Sequence, residues 1–333
     1  MFIVSNYLLA VFFCFITMLC WGSWGNTQKL AGKTWRYELF YWDYVLGILL
    51  FSLLSAFTLG SFGEQGRSFI PDLCQADWSN IGSAFLGGII FNAANILLSA
   101  AISIAGLSVA FPVGIGLALV LGVLINYIGS AKGDPVLLFA GVALVTVAIV
   151  LNAFAYKKLT AKTKKVSSKG IIISLVAGLL MSFFYRFVAA SMDLDSFVNP
   201  AAGKMTPYTA MFIFACGIFA SNFIFNTIAM KKPFEGAPVS YRTYFQGRSK
   251  IHLVGVLGGL IWGLGNAFNL IAAGKAGAAI SYGLGQGATL VSAFWGVIIW
   301  KEFKDAPEGV NKYLYAMFAL FLFGLALIIA AGL

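Results

Sequence analysis

Four asparagines stand in two short patterns, FNAAN at 91–95 and GNAFN at 265–269. Asn92 and Asn95 are three residues apart, as are Asn266 and Asn269, so each pair shares one face of a helix. A carboxamide donates and accepts hydrogen bonds without carrying charge. Set in apolar runs, such pairs either hold a neutral polar molecule or join helices, each join contributing about 1 kcal/mol. Asn222, in a further apolar run, has the same two readings. Tyr282 and Gln286, four apart, put a hydroxyl and an amide on one helical face. Asp43, in FYWDY, is the acidic group best placed to carry a proton or to pair with Lys29 or Arg36. Arg186, in FFYRF, either snorkels to a headgroup or binds an acceptor-rich solute. HExxH, GxSxG and phosphate-loop patterns are absent, and His252 is the single histidine. That leaves no nucleophile–base pair and no multi-histidine metal site, so we expect neither an enzyme nor a cofactor.

The elements that must position these groups follow from composition. Of 333 residues, 60% are hydrophobic and 10% charged, against about 25% charged in a soluble domain. Apolar runs recur at the length of about 20 helical residues that crosses a bilayer. We read an all-α polytopic membrane protein with ten spans, near 6–28, 39–61, 81–104, 107–129, 135–156, 170–191, 208–230, 251–273, 277–300 and 313–332. The first run has no basic residue before it, which reads as a retained span rather than a cleaved signal. Connections after the odd-numbered spans hold 17 of the 22 lysines and arginines, and those after the even-numbered spans hold 4. By the positive-inside rule the basic loops are cytoplasmic, so both termini face the extracytoplasmic side, of a bacterial inner membrane. The same rule accounts for the net charge of +10 without nucleic acid. The expected partners are the lipid bilayer, a small-molecule solute and a coupling proton; a homodimer is left open.

Sliding the chain by 171 residues aligns 86–120 with 257–291 without a gap. Leu86-Gly87-Gly88 meets Leu257-Gly258-Gly259, Asn95 meets Asn266, and Gly114 and Gly116 meet Gly285 and Gly287. Spans 3–4 thus correspond to spans 8–9, and the chain reads as a 5+5 repeat: 1–156, a basic linker at 157–169, and 170–333. Five is odd, so the second copy is inverted, an architecture that places a binding site between the copies. Pro112 and Gly283 are repeat partners that weaken one turn in each copy, as a gating bend requires. Tyr282 and Gln286 fall on Phe111 and Ile115, so their polarity belongs to one half alone.

The local sequence adds a resemblance. "CWGSWGNTQKL" at 20–30, "WRYELFYWDYVLGILL" at 35–50 and "AFTLGSFG" at 56–63 resemble the opening of the ureide permease family, within the drug/metabolite transporter superfamily. "GLSVAFPVGIGLALVLGVLINY" at 106–127 is a looser likeness. The resemblance implies proton-coupled uptake of ureides or nucleobase-like heterocycles such as allantoin or uracil. Sugar-uptake relatives for glucose, ribose and rhamnose share the architecture, and an exporter or a non-transporting scaffold or receptor are the alternatives. Plant members resemble a long central loop with a phosphate-loop-like motif; "YKKLTAKTKKVSSKG" at 156–170 is short and lacks it. An aromatic belt would explain Trp21 and Trp24. Gly22 and Gly25 beside them, Asn26 next in line and the family likeness favour the wall of an inner cavity.

Overall fold

A computed structural model describes residues 1–32, 35–105, 107–160, 167–301, 303–304 and 306–333. The described residues are helical apart from turns, connections and one isolated bridge, Met192 to Met205. The helices are α1 (Tyr7–Ser23), α2 (Gly25–Ala31), α3 (Tyr37–Phe57), α4 (Phe69–Gln75), α5 (Trp78–Ala105), α6 (Leu107–Gly129) and α7 (Pro135–Thr160). They continue with α8 (Ser168–Ser191), α9 (Pro207–Lys231), α10 (Tyr241–Phe245), α11 (Ser249–Ala276), α12 (Ala278–Gly285), α13 (Ala288–Phe294) and α14 (Val310–Ala330). Among the described residues nine stretches are long and apolar enough to cross a bilayer, and Val113–Gly129 within α6 is a shorter apolar helix. The protein is therefore an integral, polytopic, all-helical membrane protein.

Two spans expected to be continuous are broken. The first is interrupted at Trp24, between α1 and α2, where the backbone stays in the right-handed helical region. There the Asn26 amide donates to the Ser23 carbonyl at 3.0 Å and the Thr27 hydroxyl to the Trp24 carbonyl. Side chains that bond back onto preceding carbonyls compete with the helical ladder and bend it. The ninth breaks at Gln286–Gly287, and Trp295–Ile299 then form a π-helical turn. That wider turn carries the Trp295 indole to the Ser23 hydroxyl at 2.9 Å and the Trp300 indole to Asn26 Oδ1 at 2.8 Å. Between α11 and α12 the chain turns at Gly277, whose φ of 84° suits a residue without a Cβ.

Two glycine crossings organise the centre. Gly47 of α3 and Gly259 of α11 face each other, and a Cβ on either would strike the Val256 or Tyr44 carbonyl. Gly88 of α5 and Gly217 of α9 face each other likewise, against the Phe214 and Phe85 carbonyls. Without a hydrophobic driving force between helices in lipid, such close backbone contact supplies the packing energy. α5 also packs along α8, α11 along α1, α3 along α9, and α7 along α14.

Away from this centre, segments distant in the chain are tied together. Arg67 pairs with Asp72 at 2.9 Å and donates to the carbonyls of Pro200 and Lys204, joining 58–77 to 192–206. Nearer the basic connections, Arg36 pairs with Glu38 and donates to the carbonyls of Glu235 and Ala237.

Candidate functional site

Each glycine crossing carries an aromatic ring and an amide to the middle of the molecule. On α5, Phe91 precedes Asn95 by four residues, and on α11, Trp262 precedes Asn266 by four, so ring and amide share a face in both cases. The Phe91 and Trp262 rings meet at 4.5 Å between centroids. Trp21 of α1 stacks on Trp262 at 5.8 Å and 10°, and Phe214 of α9 stacks on it at 6.1 Å and 22°. Tyr44 of α3 meets Trp262 edge-on at 6.4 Å and also contacts Trp24 at 4.6 Å. Trp262 is only 4% exposed. Five helices, α1, α3, α5, α9 and α11, thus converge on one indole.

The amides divide between joining helices and facing inward. Asn95 donates to the Tyr41 hydroxyl at 3.1 Å, tying α5 to α3. Asn266 donates to the sulfur of Met211 at 3.0 Å, tying α11 to α9. Asn92 donates to the Ser221 hydroxyl at 2.9 Å and Asn269 to the Ser281 carbonyl at 2.8 Å. Yet Oδ1 of Asn92, Asn266 and Asn269, both polar atoms of Asn222, and the Trp21 indole N–H are buried without a hydrogen bond. A buried polar atom left unpaired costs about 1–3 kcal/mol. The unpaired oxygens of Asn92, next to Phe91, and of Asn266, four residues after Trp262, can accept from a solute's N–H groups beside this ring cluster.

The remaining groups lie around this cluster. The Tyr282 hydroxyl is shared between the carbonyls of Ala118 and Met181, at 3.2 and 3.3 Å, and so joins α12 to α6 and α8. Its ring reaches the cluster through Phe184, which contacts Phe91 at 5.1 Å. Gln286 is buried at the break after α12, where Gly285 lies against the Trp21 ring and the Asn269 amide. Asn26 is apart from the cluster, held by Trp300. Arg186 lies half-buried against Gly129, the last residue of α6, where a helix carries partial negative charge. Gly283 packs on Val123 and Ile328; the side chain of its counterpart Pro112 lies outside what is described.

Asp43 has partners that differ from the two expected from sequence. Arg36 is engaged with Glu38. Asp43, 2% exposed, accepts from the Tyr244 hydroxyl at 2.6 Å and lies 2.9 Å from His252 Nδ1 through both oxygens. Burial, together with the carboxylate, pushes the Tyr244 phenol above its ordinary range.

Sequence reasoning left out Phe91, Trp262, Tyr44, Tyr41, Phe214 and His252. A signal existed for the first two: the 171-residue shift sets Phe91 on Trp262, each four residues ahead of a matched asparagine. For Tyr41, Tyr44 and Phe214 none stood out among 52 aromatic residues.

Membrane-spanning helices packed around buried aromatic and amide side chains define a polytopic helical membrane protein. The ureide permease family model matches residues 40–169 and 157–331. The chain belongs to the ureide permease family. Ureide permease 4 of Arabidopsis thaliana is 24% identical over 100% of this chain and 99% of its own. Ureide permease 1 of the same plant is 26% identical over 95% of each. A putative sugar uptake protein of Streptococcus pyogenes is 24% identical over 90% of this chain and 91% of its own. A crystal structure matched over 97% of this chain and 96% of its own has a TM-score of 0.62 at 16% identity, a likeness of fold.

Proposed function

We propose that the chain takes up a small planar polar solute of the ureide or nucleobase-like class, coupled to protons, by alternating access between two inverted five-helix halves. The observation that carries this is the Phe91–Trp262 ring pair beside amides with unpaired acceptors. A ureide or uracil offers flat faces for stacking and N–H donors for those oxygens. Trp21 and Trp24 line the cytoplasmic side of the same space, and Asp43 carries the proton.

Support for inverted halves comes from matched contacts. Under a shift of 170 or 171 residues, the Gly47–Gly259 crossing corresponds to the Gly217–Gly88 crossing, and Asn95–Tyr41 to Asn266–Met211. On this reading the halves are 1–156 and 170–333, joined by 157–169, and the loop charges put both termini outside a bacterial cytoplasmic membrane. Rocking of the halves about the crossings would expose the site to one side and then the other.

Uptake into proteoliposomes of labelled allantoin, uracil, rhamnose and glucose, with and without an inward proton gradient, tests the proposal. Saturable, gradient-stimulated flux of allantoin or uracil is expected. Flux of the sugars alone would move the substrate class to that of the streptococcal relative's name, and no flux would remove the uptake reading.

A further inference from the structure

The cluster at Asp43 is separate from the aromatic centre and joins three elements. Asp43 and Gly47, four apart on α3, face Gly255 and Gly259, four apart on α11, so the carboxylate sits one turn from the glycine crossing. Tyr44, the next residue, contacts Trp262. From α11, His252 brings its imidazole to both carboxylate oxygens. From α10, Tyr244 donates to Oδ1 at 2.6 Å, and its ring packs on His252 at 4.8 Å and on Trp35 at 6.4 Å.

Beyond this cluster α10 touches α3 through the Tyr241–Trp42 ring contact at 5.7 Å. None of its five residues is buried, and Phe245 is 77% exposed. Its other side-chain bonds are the Ser240 cap on Thr243 and the Tyr241–Thr227 hydroxyl contact. The titratable groups facing Asp43 are Tyr244 from α10 and His252 from α11. On α3 itself Glu38 is occupied by Arg36. The matched positions of the other crossing, under the same shifts, are Ile213 for Asp43 and Ile81 for His252, neither able to titrate.

We infer that Asp43, His252 and Tyr244 form a proton-operated latch that holds α10 across the α3–α11 crossing. What it gates rests on the transport reading above. A bond from a hydroxyl to a carboxylate is about twice as strong as one between neutral groups. With Asp43 ionised, Tyr244 and His252 both donate to it and α10 is held down. A proton added to an Asp43 oxygen neutralises the acceptor, weakens the Tyr244 bond and frees α10, while the imidazole keeps its own protons. Loss of that proton to the cytoplasm reseals the latch, so no species is consumed and one proton moves per opening.

The test uses the full chain with Cys74 and Cys216, the cysteines that are not buried, replaced by serine. Spin labels are placed at Phe245→Cys on α10 and Lys157→Cys at the end of α7, both exposed. Double electron–electron resonance is recorded from about pH 8 to about pH 4.5, a range spanning the ordinary imidazole and carboxylate values. The expected parent distribution is narrow at the alkaline end and longer and broader at the acid end, by about one helical turn of 5.4 Å or more. Asp43→Asn and Tyr244→Phe should be broad throughout, and His252→Ala should move the midpoint. A parent distribution unchanged with pH, or Tyr244→Phe and Asp43→Asn indistinguishable from the parent, would overturn the latch. No solute enters the measurement. Absent flux with a pH-dependent distribution would therefore remove the transport reading and leave the latch standing.

Discussion

The two glycine crossings do the same mechanical job with different chemistry. At one, α3 meets α11 through Gly47 and Gly259; at the other, α9 meets α5 through Gly217 and Gly88. Where the first has Tyr41 and Tyr44, the second has Met211 and Phe214. Trp262 stands opposite Phe91, and the ionisable Asp43 and His252 answer to Ile213 and Ile81. Backbone contact is thus kept alike while side chains diverge. Similar crossings suit a motion that must work in both directions. Unlike side chains suit the proposed solute selectivity and the proposed response to protons.

The sharpest way to break the comparison is to obstruct a crossing. Gly88→Leu or Gly259→Leu drives a side chain into a facing carbonyl, with no room for the backbone to yield. Either should abolish recovery of monodisperse protein in size-exclusion chromatography, whereas Gly25→Leu, at an open position, should not. Equal damage from all three would undo the claim that the crossings are special.

Next in size is the stacking platform. Trp262→Ala should raise the half-saturating concentration of the transported solute by about fivefold to a hundredfold, since aromatic stacking on a base-like ring contributes about 1–3 kcal/mol. Trp262→Phe should retain more uptake, because the opposite position is already a phenyl ring. Equal affinity for the parent and Trp262→Ala would remove the indole from the site.

The smallest effects separate the two amides. A double-mutant cycle on Asn95→Ala and Tyr41→Phe, read by chemical unfolding, should give a coupling of about 1 kcal/mol. The matching cycle on Asn266→Ala and Met211→Leu should give less, because a thioether is a weak acceptor. Equal couplings would mean that the difference between hydroxyl and sulfur has no energetic consequence.

Much of the scaffold was legible in the sequence because lipid imposes it. Apolar runs of spanning length had to become helices, since no water satisfies the backbone inside a bilayer. The breaks at Trp24 and Gln286 were not legible. They arise from side chains bonding back to carbonyls and from a register change, neither of which alters the apolar run. Asn95 and Asn266 stood out as amides in grease, but their neighbouring rings looked like ordinary lipid-facing bulk. Asp43 stood out as an acid in an apolar run. Its partners did not, because His252 lies 209 residues away in sequence and Tyr244 sits in a five-residue helix that hydropathy cannot detect.

The π-helical turn at Trp295–Ile299 has a consequence for torsion. It holds one residue more per turn than the helix around it, so it stores about 100° of rotation, the angular step of a single helical residue. Shifting the bulge along the helix would spin the segment it crosses while costing few hydrogen bonds, much as a dislocation lets a crystal shear without melting. Trp295 and Trp300, pinned to Ser23 and Asn26, are the teeth at either end of that gear. Deleting one residue from 295–299 would wind the turn back to an α-helix and leave the downstream indole facing away from its asparagine.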